Sequence, residues 1–180
     1  MDWALRPATL ADDAFFQRVY AGTRADEMAL TPWDAAQRQA FVAMQYRAQA
    51  AHYLAHWPDA QHSVVVALHG GEWHDVGRLW LHQRPAAIHV LDIALLAEHR
   101  GLGIGAACLQ QLMRQAQTSA RAVTIHVEAG NPARRLYERL GFLPVGAPQG
   151  VHQRMAWQAV AADLACRSTT EAMEIGNEQA

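Results

Sequence analysis

Apolar and polar residues alternate over positions 3–6, and this period of two predicts a short opening strand. Thr9 with Asp12 three residues on resembles a capping box, and Phe15, Phe16, Val19 and Tyr20 then recur at helical spacing. Residues 22–33 read as a loop. Asp34 with Gln37 repeats the capping pattern and opens a long predicted helix to about His56, with Phe41, Met44, Ala48 and Ala51 on one stripe and Pro58 closing it. Residues 63–68 and 76–82 have strand character on either side of Gly70-Gly71, which predicts a hairpin. After Pro85, the apolar run 88–96 is long enough for a buried central strand.

Beyond a glycine cluster at 101–105, Leu109, Leu112, Met113 and Ala116 fall on one helical face, with Gln110, Gln111, Arg114 and Gln115 on the other. Residues 123–127 predict a further strand. Asn131-Pro132 supplies an N-cap and a proline suited to a first helical position, and Gly141 suits the C′ position after Leu140. Segments 142–145 and 152–157 are the last strand candidates. From Gln158 the composition shifts to Ala, Ser, Thr and Glu, so 158–180 reads as a tail, with disorder expected beyond Arg167. No internal repeat is visible.

A length of 180 residues suits one domain. With 51% hydrophobic and 18% charged residues and no apolar run near the ~20 residues that span a bilayer, no membrane segment is predicted. The first residues carry no basic stretch followed by an apolar one, so a cytoplasmic location is expected. Cys108 and Cys166 form no C-x-x-C pair, which argues against a disulfide framework or zinc ribbon. A net charge of -2 without a basic run argues against a nucleic-acid surface. All 15 basic residues are Arg; the absence of Lys removes Schiff-base chemistry and the G-K-[ST] phosphate loop. His52 and His56 have the i, i+4 spacing of a ligand pair, but no third ligand accompanies them, and no metal is expected.

Chemistry concentrates in residues 91–105, where a glycine-rich loop stands between a strand and a helix. Glycines let backbone N–H groups converge and the helix N-terminus adds partial positive charge, so the loop is suited to a pyrophosphate, with Arg100 as an added cation. Gly101-x-Gly103-x-x-Ala106, with Glu128 ending the next strand, also matches a dinucleotide fingerprint. That reading is disfavoured, because residues 97–100 separate the glycines from the strand and too little chain follows Glu128.

Arg100-Gly101-Leu102-Gly103-Ile104-Gly105 resembles the R-x-x-G-x-G acyl-coenzyme A loop of the GNAT acetyltransferases, and residues 131–142, ending L-Y-x-x-x-G-F, resemble their second motif. The resemblance runs from about residue 3 to 157. It implies a single α/β (in some schemes α+β) domain whose mixed sheet of about six to seven strands splays between the fourth and fifth, flanked by about four helices. It further implies acetyl-coenzyme A as acyl donor, with the backbone of Ile93, Ala94 and Leu95 along the pantetheine arm. Gly101, Leu102, Gly103, Ile104 and Gly105 would take the pyrophosphate, and Asn131 with Arg134 or Arg135 the far end. Tyr137 matches the tyrosine that protonates the leaving thiolate, and the Leu95 N–H would polarise the carbonyl. Asp92 ranks first as general base and Glu128 second, with His89 and His126 on the same two strands. A primary amine of a small molecule or peptide would enter beside Asp26, Glu27 and Trp33 and the strand bearing Arg78 and Trp80. A homodimer is common in the family. The rival class is a non-catalytic acyl-coenzyme A-binding regulatory domain, against which Tyr137 speaks; a nucleotide-binding oxidoreductase is the third.

Overall fold

In the computed structural model, which describes residues 2–159, strands β1 (Trp3–Pro7), β2 (Gln61–His69), β3 (Glu72–Gln83), β4 (Ala87–Leu95), β5 (Ala122–Glu128), β6 (Leu143–Pro144) and β7 (His152–Gln158) form one sheet. Their order is β1-β2-β3-β4-β5-β7-β6. Every neighbouring pair is antiparallel except β4–β5, which is parallel. Helices α1 (Asp13–Thr23), α2 (Ala25–Ala29), α3 (Ala35–His56), α4 (Ile104–Thr118) and α5 (Arg134–Arg139) complete the domain. Gly70 and Gly71, both at positive φ, make the two-residue turn of the β2–β3 hairpin, as their pairing in the sequence predicts.

The sheet carries a core on each face, because successive strand side chains point to opposite sides. One core gathers Val65, Leu79, Leu81, Ile88, Val90 and Val123 against Leu109 and Leu112 of α4 and Tyr137 of α5. The other gathers Val64, Val66, Ala94 and Leu96 against Phe16, Val19 and Tyr20 of α1 and Val42 and Tyr46 of α3. Within β4 the faces change hands. Ile88 and Val90 face the α4 side, yet Ala94 and Leu96 face the α1–α3 side, because Leu91 is a bulge residue between Trp80↔Asp92 and Leu81↔Val90. One extra residue flips the register of every side chain after it, and so turns Asp92 toward α1 and α3.

Three expectations need correction. Residues 22–33 are not all loop, since α1 runs to Thr23 and α2 follows at Ala25–Ala29. The inward stripe of α3 is Val42, Ala43 and Tyr46, while Met44 is 56% exposed. The apolar period missed it because the inward face also carries polar groups with fixed partners: Tyr46 donates to Asp13 at 2.7 Å, and Tyr53 to the Leu91 carbonyl at 3.0 Å. The segment 142–145 yields only the two-residue strand β6. The predicted capping box at Asp34 and Gln37 is present, with both reciprocal bonds formed. The expected change of character after Gln158 concerns residues that, from 160 on, lie outside those described.

His62 is clamped between Phe16 (centroids 4.1 Å apart) and Trp80 (4.2 Å, 5° between planes). Burial, assisted by Arg78, pushes its pKa down to about 4; burial, then His126, does the same to His89, also down to about 4. The fold therefore favours the neutral rings. Their contribution is present above the unfolded value near 6.5 and is lost as pH falls toward 4. Thermal unfolding followed from pH 7 to 4 should show Tm falling across this window, and His62→Phe should flatten the fall. An identical pH slope in that variant would remove His62 from the account.

Candidate active site

The parallel β4–β5 ladder ends at Val90↔Ile125, directly before the bulge at Leu91. Beyond it β4 stays with β3 and parts from β5. Leu96 N–H donates to the Val76 carbonyl at 2.9 Å, and antiparallel ladders alternate bonded and non-bonded pairs. The backbone groups of Ile93 and Leu95 therefore point away from β3, into the gap that β5 has left. A strand with free N–H and C=O groups beside a cleft can pair with an extended, amide-bearing ligand.

Gly77 lies opposite Leu95, and a Cβ there would collide with the Ala94 carbonyl oxygen and stand 2.5 Å from Leu95 Cδ2. The first obstacle is backbone and cannot swing aside. Gly77→Ala should cost about 1–3 kcal/mol of stability through overpacking and push Leu95 into the gap; a urea titration with an unchanged midpoint would refute this.

Past β4 the chain turns through Gly101 (φ +74) and Gly103 (φ +86), the latter capping α4. Both occupy backbone conformations that side chains rarely adopt, and a Cβ at either would meet nothing within 4 Å, so the loop is open. The first bond of α4 runs from Ala107 N–H to the Gly103 carbonyl at 2.9 Å. That leaves the N–H groups of Ile104, Gly105 and Ala106 facing outward at the helix start. This open, Cβ-free cradle fits a diphosphate. Arg100 is exposed, and its Nε donates to the Leu95 carbonyl at 2.9 Å, tying the loop to the end of β4.

A cleft of about 420 Å³ opens where β4 and β5 separate, lined by Arg24, Glu27, Arg78, Asp92, Glu128 and Tyr137 among others. Arg78, only 1% exposed, is its deepest charge. Its Nε stands 2.6 Å from Asp92 Oδ2, its Nη2 donates to Gln49 at 2.8 Å, and its guanidinium lies 5.6 Å from the Tyr20 ring and 5.8 Å from that of Tyr46. The Nε–H does not aim at the carboxylate, so the contact is a close ion pair rather than a directed hydrogen bond.

Tyr137 is held by the end of α5. Phe142 N–H bonds to the Tyr137 carbonyl and Gly141 N–H to that of Glu138, both at 3.0 Å, with Gly141 at φ +86. This is the two-bond glycine cap that the sequence anticipates. At the other end α5 begins at Arg134 with Ala133 as its N-cap, so Asn131 and Pro132, expected to open the helix, lie in the preceding turn, where Asn131 Oδ1 accepts from Ala133 N–H at 2.9 Å. Burial, and then the Asp92 carboxylate, raise the Tyr137 pKa well above the ordinary phenol value, and the same causes in the same order act on Tyr53. The Tyr137 phenol thus carries its proton throughout the neutral range.

The structure brings together most of the residues singled out above. Asp92, Ile93, Ala94, Glu128, Asn131, Tyr137, Glu27, Arg78 and His126 all line the cleft. Others lie elsewhere. Trp80 is buried between His62 and Tyr53 (centroids 4.2 and 5.0 Å away), and Trp33 rests on Phe41 at 4.9 Å, so neither indole faces the cleft. Arg134 pairs with Glu138 at 2.9 Å on the outside of α5. His89 contacts Thr124 at 3.2 Å and also lies outside the lining. Tyr20, Arg24, Gln49, Tyr53 and His152 line the cleft without having been singled out. The available signal was the polar series Tyr46, Gln49, Tyr53 on α3, whose spacing of three and four matches one helical face. Among the described residues no group of three or more metal-ligating side chains is present, and no helix is long and apolar enough to cross a membrane.

A strand pair that opens beside a glycine cradle defines a site for a ligand with an extended arm and a phosphorylated end, the arrangement of a coenzyme A-dependent acyltransferase. Residues 23–142, well over half of the chain, match the model of the acetyltransferase (GNAT) family. The chain belongs to that family. An N-alpha-acetyltransferase of Sulfurisphaera tokodaii is 40% identical over 60 residues, a stretch that spans 32% of this chain and 36% of that relative. Among solved structures, the PaiA N-acetyltransferase of Thermoplasma acidophilum in complex with coenzyme A superimposes with a TM-score of 0.62 at 12% identity, over 88% of this chain and 99% of that one. The spermidine N-acetyltransferase of Vibrio cholerae, in complex with coenzyme A and spermine, does so with a TM-score of 0.57 at 18% identity, over 87% and 95%. At these identities the superpositions establish the fold.

Proposed function

We propose that this protein transfers an acetyl group from acetyl-coenzyme A to the primary amine of a small molecule or peptide, by direct attack within a ternary complex. The observation that carries the reading is the meeting, in one cleft, of the unpaired edge of β4 and the protonated Tyr137, beside the open cradle that starts α4. Ile93 offers its backbone groups to the pantetheine amides, the Leu95 carbonyl being held by Arg100, and the N–H groups of residues 101–106 receive the pyrophosphate. The Leu95 N–H polarises the thioester carbonyl, and Tyr137 Oη gives its proton to the departing sulfur.

The attacking amine must first lose a proton. Asp92 is already engaged by Arg78 at 2.6 Å, whereas the Glu128 side chain is 39% exposed, with Arg24 Nη2 at 3.7 Å and His152 Nε2 at 3.6 Å as looser neighbours. Glu128 therefore takes the role of base, directly or through water, and Asp92 acts by its charge on Tyr137. Coenzyme A release, followed with a thiol reagent across a panel of amines, amino acids and peptides, tests the reading. Tight acetyl-coenzyme A binding with no amine-dependent release would overturn it.

A further inference from the structure

The cleft holds five formal charges besides its imidazoles, and they divide into two groups. Arg78 and Asp92 neutralise each other at the floor. At the rim, Glu27 and Glu128 share one cation, Arg24, whose Nη1 lies 3.0 Å from Glu27 and whose Nη2 lies 3.7 Å from Glu128. The guanidinium also rests 5.6 Å from the Tyr20 ring, and its Nε is buried without a hydrogen-bond partner. Arg24 is thus fixed on three sides, by two carboxylates and an aromatic face, and its side chain is 25% exposed. The rim keeps one uncompensated negative charge.

We infer that Arg24 is a specificity-determining residue that occupies the place of a second acceptor cation, so that the cleft selects acceptors with one ammonium group and disfavours diamines and polyamines. This rests on the proposed N-acetyl transfer. An amine reaches the cleft as an ammonium ion, and one such ion matches the rim's single excess carboxylate. A second ammonium on the same acceptor meets the Arg24 guanidinium, because both carboxylates are already drawn to it. Like-charge juxtaposition across a partly desolvated contact is the usual device for rejecting a wrong partner. With Arg24 neutral, Glu27 is released and the rim carries two negative charges, a match for two ammonium groups.

The test compares kcat/KM for 1,4-diaminobutane with that for butylamine at pH 8, where imidazoles ordinarily carry little charge. In Arg24→Gln the diamine-to-monoamine ratio should rise about tenfold over the parent, whereas Arg24→Lys, which keeps the charge, should stay within about twofold of it. Glu27→Gln, which makes the rim neutral, should move the ratio the other way. Protection from melting by acetyl-coenzyme A verifies that each variant is folded, and Arg24→Met serves if Arg24→Gln is not. A ratio that the neutral variant leaves unmoved, or that Lys raises as much as Gln, overturns the inference while leaving N-acetyl transfer standing. A parent protein that binds acetyl-coenzyme A yet turns over no amine removes both.

Discussion

Tyr137→Phe should lower kcat by a factor of about 10² to 10⁴, the usual contribution of a positioned proton donor, while the Kd for acetyl-coenzyme A stays within about twofold. The ring remains in place because the α5 cap that holds it is made by backbone, through Phe142 and Gly141, and its packing near Phe142, centroids 6.0 Å apart, needs no hydroxyl. Only the proton is lost. Burial and Asp92 raise the phenol's pKa, and the same burial raises the basicity of a thiolate formed beside it, so donor and acceptor stay matched. The raised value also means that Tyr137 adds no alkaline limb to the parent's rate profile below pH 9. Steady-state kinetics with calorimetry for the donor decide the point, and an unchanged kcat would strip Tyr137 of its role.

Arg78→Met should be the most destabilising single change in the cleft, at about 3–5 kcal/mol, because it strands the Asp92 carboxylate and the Gln49 carbonyl oxygen beneath Tyr20 and Tyr46. For a chain of this length that is roughly 6–20 °C in Tm. The cost lies in the orphaned carboxylate rather than in the ion pair's own strength, since burying two charges nearly cancels their attraction. Adding Asp92→Leu to Arg78→Met should therefore restore most of the loss. Urea unfolding of the two single variants and the double variant gives the coupling. Additive losses would show that the two residues contribute separately.

The glycine loop and the turns around α5 were legible in the sequence because they are local. The glycines at 101–105, the cap at Gly141 and the Asn131 turn each draw their meaning from conformation within a few residues, and local conformation is what a sequence pattern reports. The other side of the cleft was legible only in part: Glu27 and Arg78 line it as expected, but their partners come from contacts between distant segments. Arg78 meets Gln49 across 29 positions, and Arg24 meets Glu128 across the cleft from another element. Apolar periodicity misplaced the inward face of α3, since Tyr46, Gln49 and Tyr53 turn inward to satisfy partners on other elements. The family resemblance placed Trp80 at the site, whereas burial against His62 and Tyr53 keeps it away.

By itself, then, the sequence determined most of the strands and helices and the glycine cradle, since these follow from turn chemistry and the periods of helix and strand, while the family resemblance singled out Tyr137. Only the tertiary structure decided which charges share the cleft. The bulge at Leu91 ends the β4–β5 pairing and turns Asp92 toward Arg78. A single inserted residue moves every later side chain of a strand to the opposite face, and its position depends on how β3 and β4 pair across the sheet.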